Sequence, residues 1–526
     1  MGSDFLHDAG AGSRPRRFRD RWVVLASVPG RVVWLFAIVH LLLWGVLAAW
    51  LDPAPPTDSL EQILFSQDLH AFYVKHPALP TWILYGVNRV VGLSIAPTFV
   101  LGALCAVLTL LMHYAWARAQ VGAQRAAIAT LLASIIVYFN AGAIQYSNNT
   151  VQLPLALLSI IVFHAAVSRG GRLAWATFGA AAALMALAKL SAVVLFASFA
   201  VYLLWTGRLR ERATWRGLGV AAFVFALLVA PALIAAYDVD PDAHQYMHEM
   251  LFPPEVTRIR RLLSVWDFST AQLAVVAPAL LVFTLLQRGA PGEAPRDVGA
   301  PPLVPFLTIV GFGPFVLTVV IAAASGARLL SGWGTTFHVL LPLWLVAAQR
   351  YSVEATPRVL ARAAAACLSV QVLLWALLIA NGGAMPNLHK KHHHWPLPPP
   401  ALADAVKRAW AEKTSAPLRY VVSDIRNGAA MAVVFHGTPL VIDGNRPDFA
   451  KTFPREAQLG CGFVVVSNHT ARNRLAQDRD PIDEVLGTTL LQPVALLLSD
   501  GRVHTFFIGV QPPADGKSCA EGRNHE

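Results

Sequence analysis

Residues 31–62 read Arg31-Val-Val-Trp34-Leu-Phe-Ala-Ile-Val-His40-Leu-Leu-Leu-Trp44-Gly-Val-Leu-Ala-Ala-Trp50-Leu51, then Asp52-Pro-Ala-Pro-Pro-Thr-Asp58-Ser-Leu-Glu61-Gln62. Positions 32–51 contain no Asp, Glu, Lys or Arg, and a helix crosses a bilayer with roughly 20 apolar residues. Directly after this run the chain turns polar. The loop continues Ser66-Gln67-Asp68 and closes on His76-Pro77-Ala78-Leu79-Pro80, ahead of Trp82 and Tyr85, aromatics suited to a membrane interface. A chain built for lipid gains nothing from acids and amides gathered at the membrane edge unless something polar is handled there.

The apolar pattern recurs along the whole chain. Of 526 residues 56% are hydrophobic and 14% are charged, against about 25% charged in soluble domains. Apolar runs near 31–51, 95–117, 126–142, 150–168, 173–189, 190–206, 217–237, 270–287, 302–324, 335–349 and 358–380 predict about eleven spans. They are rich in Leu, Val and Ala and do not alternate, so the fold class is mainly α, a polytopic helical bundle rather than a barrel. The fifth and sixth runs are short and meet at a polar junction, Ala188-Lys189-Leu190-Ser191.

Loop charges set the expected orientation. Arg14, Arg16, Arg17, Arg19 and Arg21 fill the N-terminal tail, and alternate loops repeat the bias with Arg118 and Arg125, Arg169 and Arg172, Arg208 to Arg216, and Arg350 to Arg362. The tail, residues 1–30, is therefore expected to be cytoplasmic, and no cleavable signal peptide is read there. The loops 52–94 and 238–268, and everything beyond about 381, are expected to face outward. The net charge of +11 is this topology signal, and no basic-aromatic module for nucleic acid is present.

After the transmembrane domain, 31–380, a Gly/Pro-rich linker spans 381–400 and includes His392, His393 and His394. Residues 401–526 read as a small α/β domain: a helix over 401–412, strand-like runs at Arg419–Ser423, Met431–Phe435, Leu440–Ile442 and Gly462–Ser467, and a hairpin around Asp500-Gly501. Its expected place is over the outward site. Cys461 and Cys519 both fall in this outward region, where a disulfide is permitted but not required. Cys105 and Cys367 lie in apolar runs.

Asp58 is the leading candidate for chemistry, because an outward carboxylate can serve as general base toward a hydroxyl or amine. Glu61, three residues on, shares its helix face, although Asp-x-x-Glu is also the spacing of a helix cap. Lys189 at its polar junction, and Arg258, Arg260, Arg261 and Arg328 in outward loops against the topology bias, suit a phosphate. His76, Tyr146 and Asn148 are candidates for contacts to a sugar or acceptor. No metal site is read, and no cofactor is required; a divalent metal is possible but not indicated.

These features occur in an order that resembles a family. Asp58-Ser-Leu-Glu61-Gln62, Ser66-Gln67, His76-Pro77-x-Leu79-x-x-Trp82, the Ala188-Lys189-Leu-Ser junction and Gly326-Ala-Arg328-Leu-Leu-Ser-Gly-Trp333-Gly334 resemble the GT-C polyprenol-phosphate-sugar glycosyltransferases. More narrowly they are similar to the bacterial branch of glycosyltransferase family 39, which includes protein O-mannosyltransferases, aminoarabinose–lipid A transferases and rhizobial lipopolysaccharide glycosyltransferases. The resemblance covers roughly 31–350. It implies inverting transfer of a sugar from a polyprenyl phosphate to lipid A, another envelope glycan or a protein at the periplasmic face of a bacterial inner membrane, with Asp58 as base. Where the family pattern has Asp-Glu the chain has Asp58-Ser59, and His76 replaces the first Pro of a Pro-Pro pair. A transporter or flippase of lipid or polar solute is the reading from another class; no internal repeat supports it. A silent member that only binds lipid-linked sugar is the third.

Overall fold

The structure, a computed structural model, describes residues 26–51, 54–73, 75–238, 245, 248–287, 303–348, 356–380, 400–446, 449–468, 491–497, 501, 503–514 and 519. The basic tail up to 25, the 381–399 stretch with its histidines, and Asp240, Asp242, His244 and Tyr246 lie outside the described residues.

Among the described residues seven helices are long and apolar enough to cross a membrane: Pro29–Leu51, Ala96–Val121, Asn148–Arg169, Arg212–Ala236, Arg258–Gln287, Leu303–Ser325 and Pro357–Leu378. The count of eleven shrinks for local reasons. The run near 126–142 is two pieces, Ala123–Ser134 and Val137–Ile144, bent by 84°. Asn140 accounts for the bend: its amide donates to the carbonyls of Ser134 and Ile136, at 3.0 and 3.1 Å, and its Oδ1 accepts from Ala141 N. Backbone groups freed by a break inside an apolar bundle need such partners. The fifth and sixth runs are the shorter helices Arg172–Ala188 and Ala192–Trp205. The 335–349 run, which follows a 3-10 turn at Ser331–Gly334, holds only a seven-residue helix, Leu341–Ala347.

Close approaches hold the bundle together. A Cβ on Gly102 would lie 2.2 Å from the Ala143 carbonyl, so helix Ala96–Val121 reaches the bent segment only through glycine. The main apolar core collects residues from most of these helices, among them Leu110, Leu132, Phe163, Phe199, Phe306 and Leu343.

Two short antiparallel strands, β1 Phe72–Tyr73 and β2 His76–Pro77, close the acidic loop. The C-terminal region has strands β3 Tyr420–Ser423, β4 Leu440–Asp443, β5 Phe463–Ser467, β6 Gln492–Leu497 and β7 Val503–Gln511, joined in one sheet in the order β4-β3-β5-β7-β6. β3 pairs in parallel with β4 and β5; β7 pairs antiparallel with β5 and β6, the expected hairpin. Cys461 and Cys519 form a disulfide. One expected strand is a helix: Met431–Phe435 continues helix Ile425–Val434 and its C-cap. Asp424 starts that helix, its carboxylate accepting from Arg426 N and Asn427 N at 2.9 and 3.0 Å, as a helix N-cap does. Asn427 to Ala432 are all buried, so the segment has no polar face to reveal its period.

Candidate active site

The acidic loop folds into a helix, Thr57–Phe65, with Pro56 as its N-cap residue and no side-chain cap. Asp58 is thus not a capping residue but the second residue inside the helix, where a carboxylate meets the positive end of the helix dipole. Every residue from Ser59 to Phe65 is buried, because the helix is sandwiched. Leu60, Ile63 and Leu64 share one apolar cluster with Tyr146, Ala188, Leu402, Val421 and Met431. A Cβ on Gly428 would already touch the Leu64 methyls at 3.5 Å. Each fully buried aliphatic side chain contributes roughly 1.5–3 kcal/mol, so the C-terminal region is part of the site's foundation. Gln67 completes the joint: its amide donates to Val441 O at 2.9 Å and accepts from Val441 N at 3.1 Å, pairing with the edge strand β4 as another strand would.

Ser59 is fully buried, accepts from Tyr146 N at 2.9 Å and donates to Tyr146 O at 3.2 Å. It ties the acidic helix to the turn before Asn148. The Tyr146 hydroxyl donates to Pro80 O at 2.6 Å. Asn148 donates to Ala188 O at 2.7 Å and Pro77 O at 3.3 Å, and accepts from Gln62 at 3.1 Å; Thr81 donates to the other end of Gln62 at 2.8 Å. Tyr146 and Asn148, expected to touch sugar or acceptor, are buried braces instead. They hold the acidic helix, the His76-Pro77 strand and the Lys189 junction in one register.

The charged groups converge on this frame. Asp58 is surrounded by Glu61, His76, Lys189 and Gln145. Burial, then Glu61, pushes its pKa above the ordinary carboxylate range, while His76, Lys189 and a hydrogen bond from Gln145 oppose the rise. Glu61 is held instead by Lys75 at 3.0 Å and His76 at 3.4 Å. Burial alone would raise the Glu61 pKa, but His76 and Lys75 outweigh it and bring the value down to about 2. Two neighbouring carboxylates are therefore pushed apart, the arrangement that lets one stay ionised while the other exchanges a proton. Lys189 donates to Asn149 Oδ1. Lys75 also approaches Asp443 of β4 at 3.9 Å, and burial raises the Asp443 pKa to about 6.

The arginines form a separate group. Arg261 is committed to two backbone carbonyls, Gly326 at 2.9 Å and Val256 at 2.6 Å. Arg328 N donates to Leu251 O at 2.8 Å, and the Arg258 Nε lies 3.7 Å from where a Gly326 Cβ would stand. Arg258, Arg260 and Arg328 are exposed, and none is among the charges that influence Asp58. The two groups approach through the stretch that follows Arg328. Gly332 would place a Cβ 3.4 Å from Asn149 Nδ2, and Ser331 O accepts from Tyr138 at 2.6 Å and Gln272 at 3.0 Å.

Lys75, Gln145 and Asp443 are site residues that the sequence reading did not single out, while Asn149 belongs to the polar turn with Tyr146 and Asn148. Lys75 is the lone Lys or Arg between 52 and 80, which was a usable signal; Gln145 and Asp443 have none. Among the described residues no three His, Cys, Asp or Glu side chains converge as a metal site would require.

Comparison with known proteins adds an independent line. Residues 75–234 match the family described as dolichyl-phosphate-mannose-protein mannosyltransferase. That segment contains Lys75, His76, Asn149 and Lys189, and begins after Asp58 and Glu61. No curated protein sequence matches the chain. The fold is similar to the crystal structure of ArnT from Cupriavidus metallidurans bound to undecaprenyl phosphate, with a TM-score of 0.59 and 15% identity over 91% of this chain and 97% of that one. The apo structure of the same protein gives 0.57 and 16% over 93% and 98%. The matched segment, together with an ArnT-like fold over nine-tenths of the chain, supports a membrane glycosyltransferase.

Proposed function

We propose that the chain transfers a sugar from a polyprenyl-phosphate carrier to an acceptor hydroxyl or amine at the periplasmic face of a bacterial inner membrane, inverting the anomeric centre. The observation that carries this reading is Asp58 itself. It is a carboxylate in the first turn of a buried helix, with a raised pKa and Lys189 and His76 as its basic neighbours. A base must be ionised yet willing to take a proton, and partial desolvation moves a carboxylate toward that condition.

In the step, the acceptor's lone pair forms the bond to the anomeric carbon while Asp58 takes the acceptor's proton. The bond from that carbon to the phosphate oxygen breaks, and its electron pair leaves on the lipid phosphate. Lys189 supplies positive charge where the anion develops, with Arg258, Arg260 and Arg328 exposed and Arg261 held by two backbone carbonyls. Glu61, locked as an anion by Lys75 and His76, holds His76 beside Asp58. The acceptor class is lipid A, another envelope glycan or a protein. Undecaprenyl phosphate in the similar ArnT structure supports a polyprenyl carrier.

The test is transfer of radiolabelled sugar from a polyprenyl-phosphate donor in proteoliposomes, with wild type and D58N side by side. Transfer by wild type and none by D58N is expected. Flipping of donor without transfer would replace the reading with a transporter, and equal transfer by both proteins would remove Asp58 as base.

A further inference from the structure

The end of the bundle remote from Asp58 holds a second site. Helix Arg172–Ala188 ends beside Lys189, and its 17 residues rise about 25 Å at 1.5 Å each, so its N-terminus lies nearly one hydrocarbon thickness away. There a cleft of about 880 Å³ opens between the ends of three helices, lined by Arg169, Arg172, Arg208 and Arg216 with Trp175 and Phe223. Its single carboxylate, Glu211, is taken by Arg208 at 3.2 Å and by Thr214. Among the described residues Arg169, Arg172 and Arg216 have no carboxylate partner, and all three are exposed.

The backbone adds to this charge. Helices Arg172–Ala188 and Arg212–Asp238 both begin at the cleft. They run in contact, since a Cβ on Gly217 would lie 2.2 Å from the Trp175 indole and one on Gly179 would lie 2.3 Å from Ala221 O. Gly171 caps the first helix without a side chain, so its free N–H groups face the same opening as those of its neighbour. Beyond the cleft the surface is apolar and uncovered: Phe223 is 70% and Leu227 65% exposed on helix Arg212–Asp238. A soluble anion has no use for that surface, whereas acyl chains do.

We propose that this cleft binds the phosphate headgroup of an anionic membrane phospholipid, with its acyl chains along Phe223 and Leu227. The site lies in the leaflet opposite the transfer reaction and takes no part in the chemistry. Bidentate arginine–phosphate pairs and the two helix ends provide recognition.

The test uses the full-length protein in mild detergent, with phosphatidylglycerol as probe, phosphatidylcholine as control and native mass spectrometry as readout. Wild type should retain phosphatidylglycerol over phosphatidylcholine, and affinity should fall about fivefold for each arginine removed in R172Q/R216Q. R210Q, outside the cleft lining, should match wild type. Equal phosphatidylglycerol binding by wild type and R172Q/R216Q overturns the proposal, as does an equal loss in R210Q. Complete displacement by excess inorganic phosphate overturns the lipid assignment in favour of a soluble anion. If the double variant does not fold, R169Q alone decides, with the same fivefold loss expected.

Discussion

Two groups of basic residues are read as phosphate-facing or lie beside the acid, and they are built in opposite ways. Lys75 and Lys189 are partly buried, each held by a neighbour: Lys75 by Glu61 and Asp443, Lys189 by Asn149, with Asp58 within its electrostatic reach. The arginines of 258–261 and 328 have exposed ends or, at Arg261, bonds to carbonyls. A cation taken out of water demands a partner and in turn sets that partner's protonation. An exposed one does neither, and screening leaves it little influence. Position along the chain made all six look alike, whereas burial separates the pair that tunes an acid from the group that shapes a rim.

The sharpest way to break this comparison is at the acid itself. D58N should lower transfer by about 10²–10⁴-fold, the range for loss of a general base, with donor binding retained in a filter or tryptophan-fluorescence assay. Wild-type rates in D58N would dissolve the distinction between the two regions. K189M comes next: loss of a preorganised charge at a developing anion costs about 10²–10³-fold, measured as kcat in the same assay, whereas R260Q should stay within about twofold because its side chain is exposed. Equal losses in K189M and R260Q would show that burial is not what matters.

The pH profile sharpens the same point. Burial raises the Asp58 pKa and Lys189 restrains it. The acidic limb of kcat/KM should therefore lie above the ordinary aspartate range of about 4, move further up in K189M, and stay in place in R260Q. A limb unmoved in K189M would separate Lys189 from Asp58. S59E tests the frame: the fully buried Ser59 hydroxyl and its two bonds to Tyr146 leave no space for a carboxylate. A buried charge without a partner costs several kcal/mol, so the variant should lose thermal stability, read by a fluorescence melt, along with activity.

The smallest effect concerns stability against pH. The Glu61 pKa is about 2 in the fold, below its unfolded value, so its contribution is present above about pH 4.5 and is lost as pH falls toward 2. Asp443 runs the other way. Its pKa of about 6 means that the folded state holds a proton between about pH 4 and 6 that the unfolded chain has released, so stability falls as pH rises through that window. In D443N the decline between pH 4 and 6 should flatten, by at most about 3 kcal/mol, in melts taken across that range.

Residues 31–62 contain much of the architecture, because a twenty-residue apolar run can only cross a membrane and a polar, proline-rich loop can only leave it. The alternation of Arg-rich and Arg-poor loops, the strands at 420–423, 440–443 and 463–467, and the hairpin of β6 and β7 follow from equally local rules. Helix Ile425–Val434 escaped notice because its middle, Asn427 to Ala432, is wholly buried, and Val433 and Val434 read as strand. The bend at Asn140 and the split of 335–349 needed knowledge of which carbonyls lack partners.

Composition and spacing alone settled that this is a helical membrane protein with an acid just beyond its first span, since hydrophobic length is a summed property of short segments. Only the tertiary structure decided which residues meet Asp58. It set Tyr146 and Asn148 as braces, brought Asp443 beside Lys75 from far along the chain, and kept the arginines apart. Desolvation and hydrogen-bond geometry depend on everything packed around a group, and no window of sequence contains that surrounding.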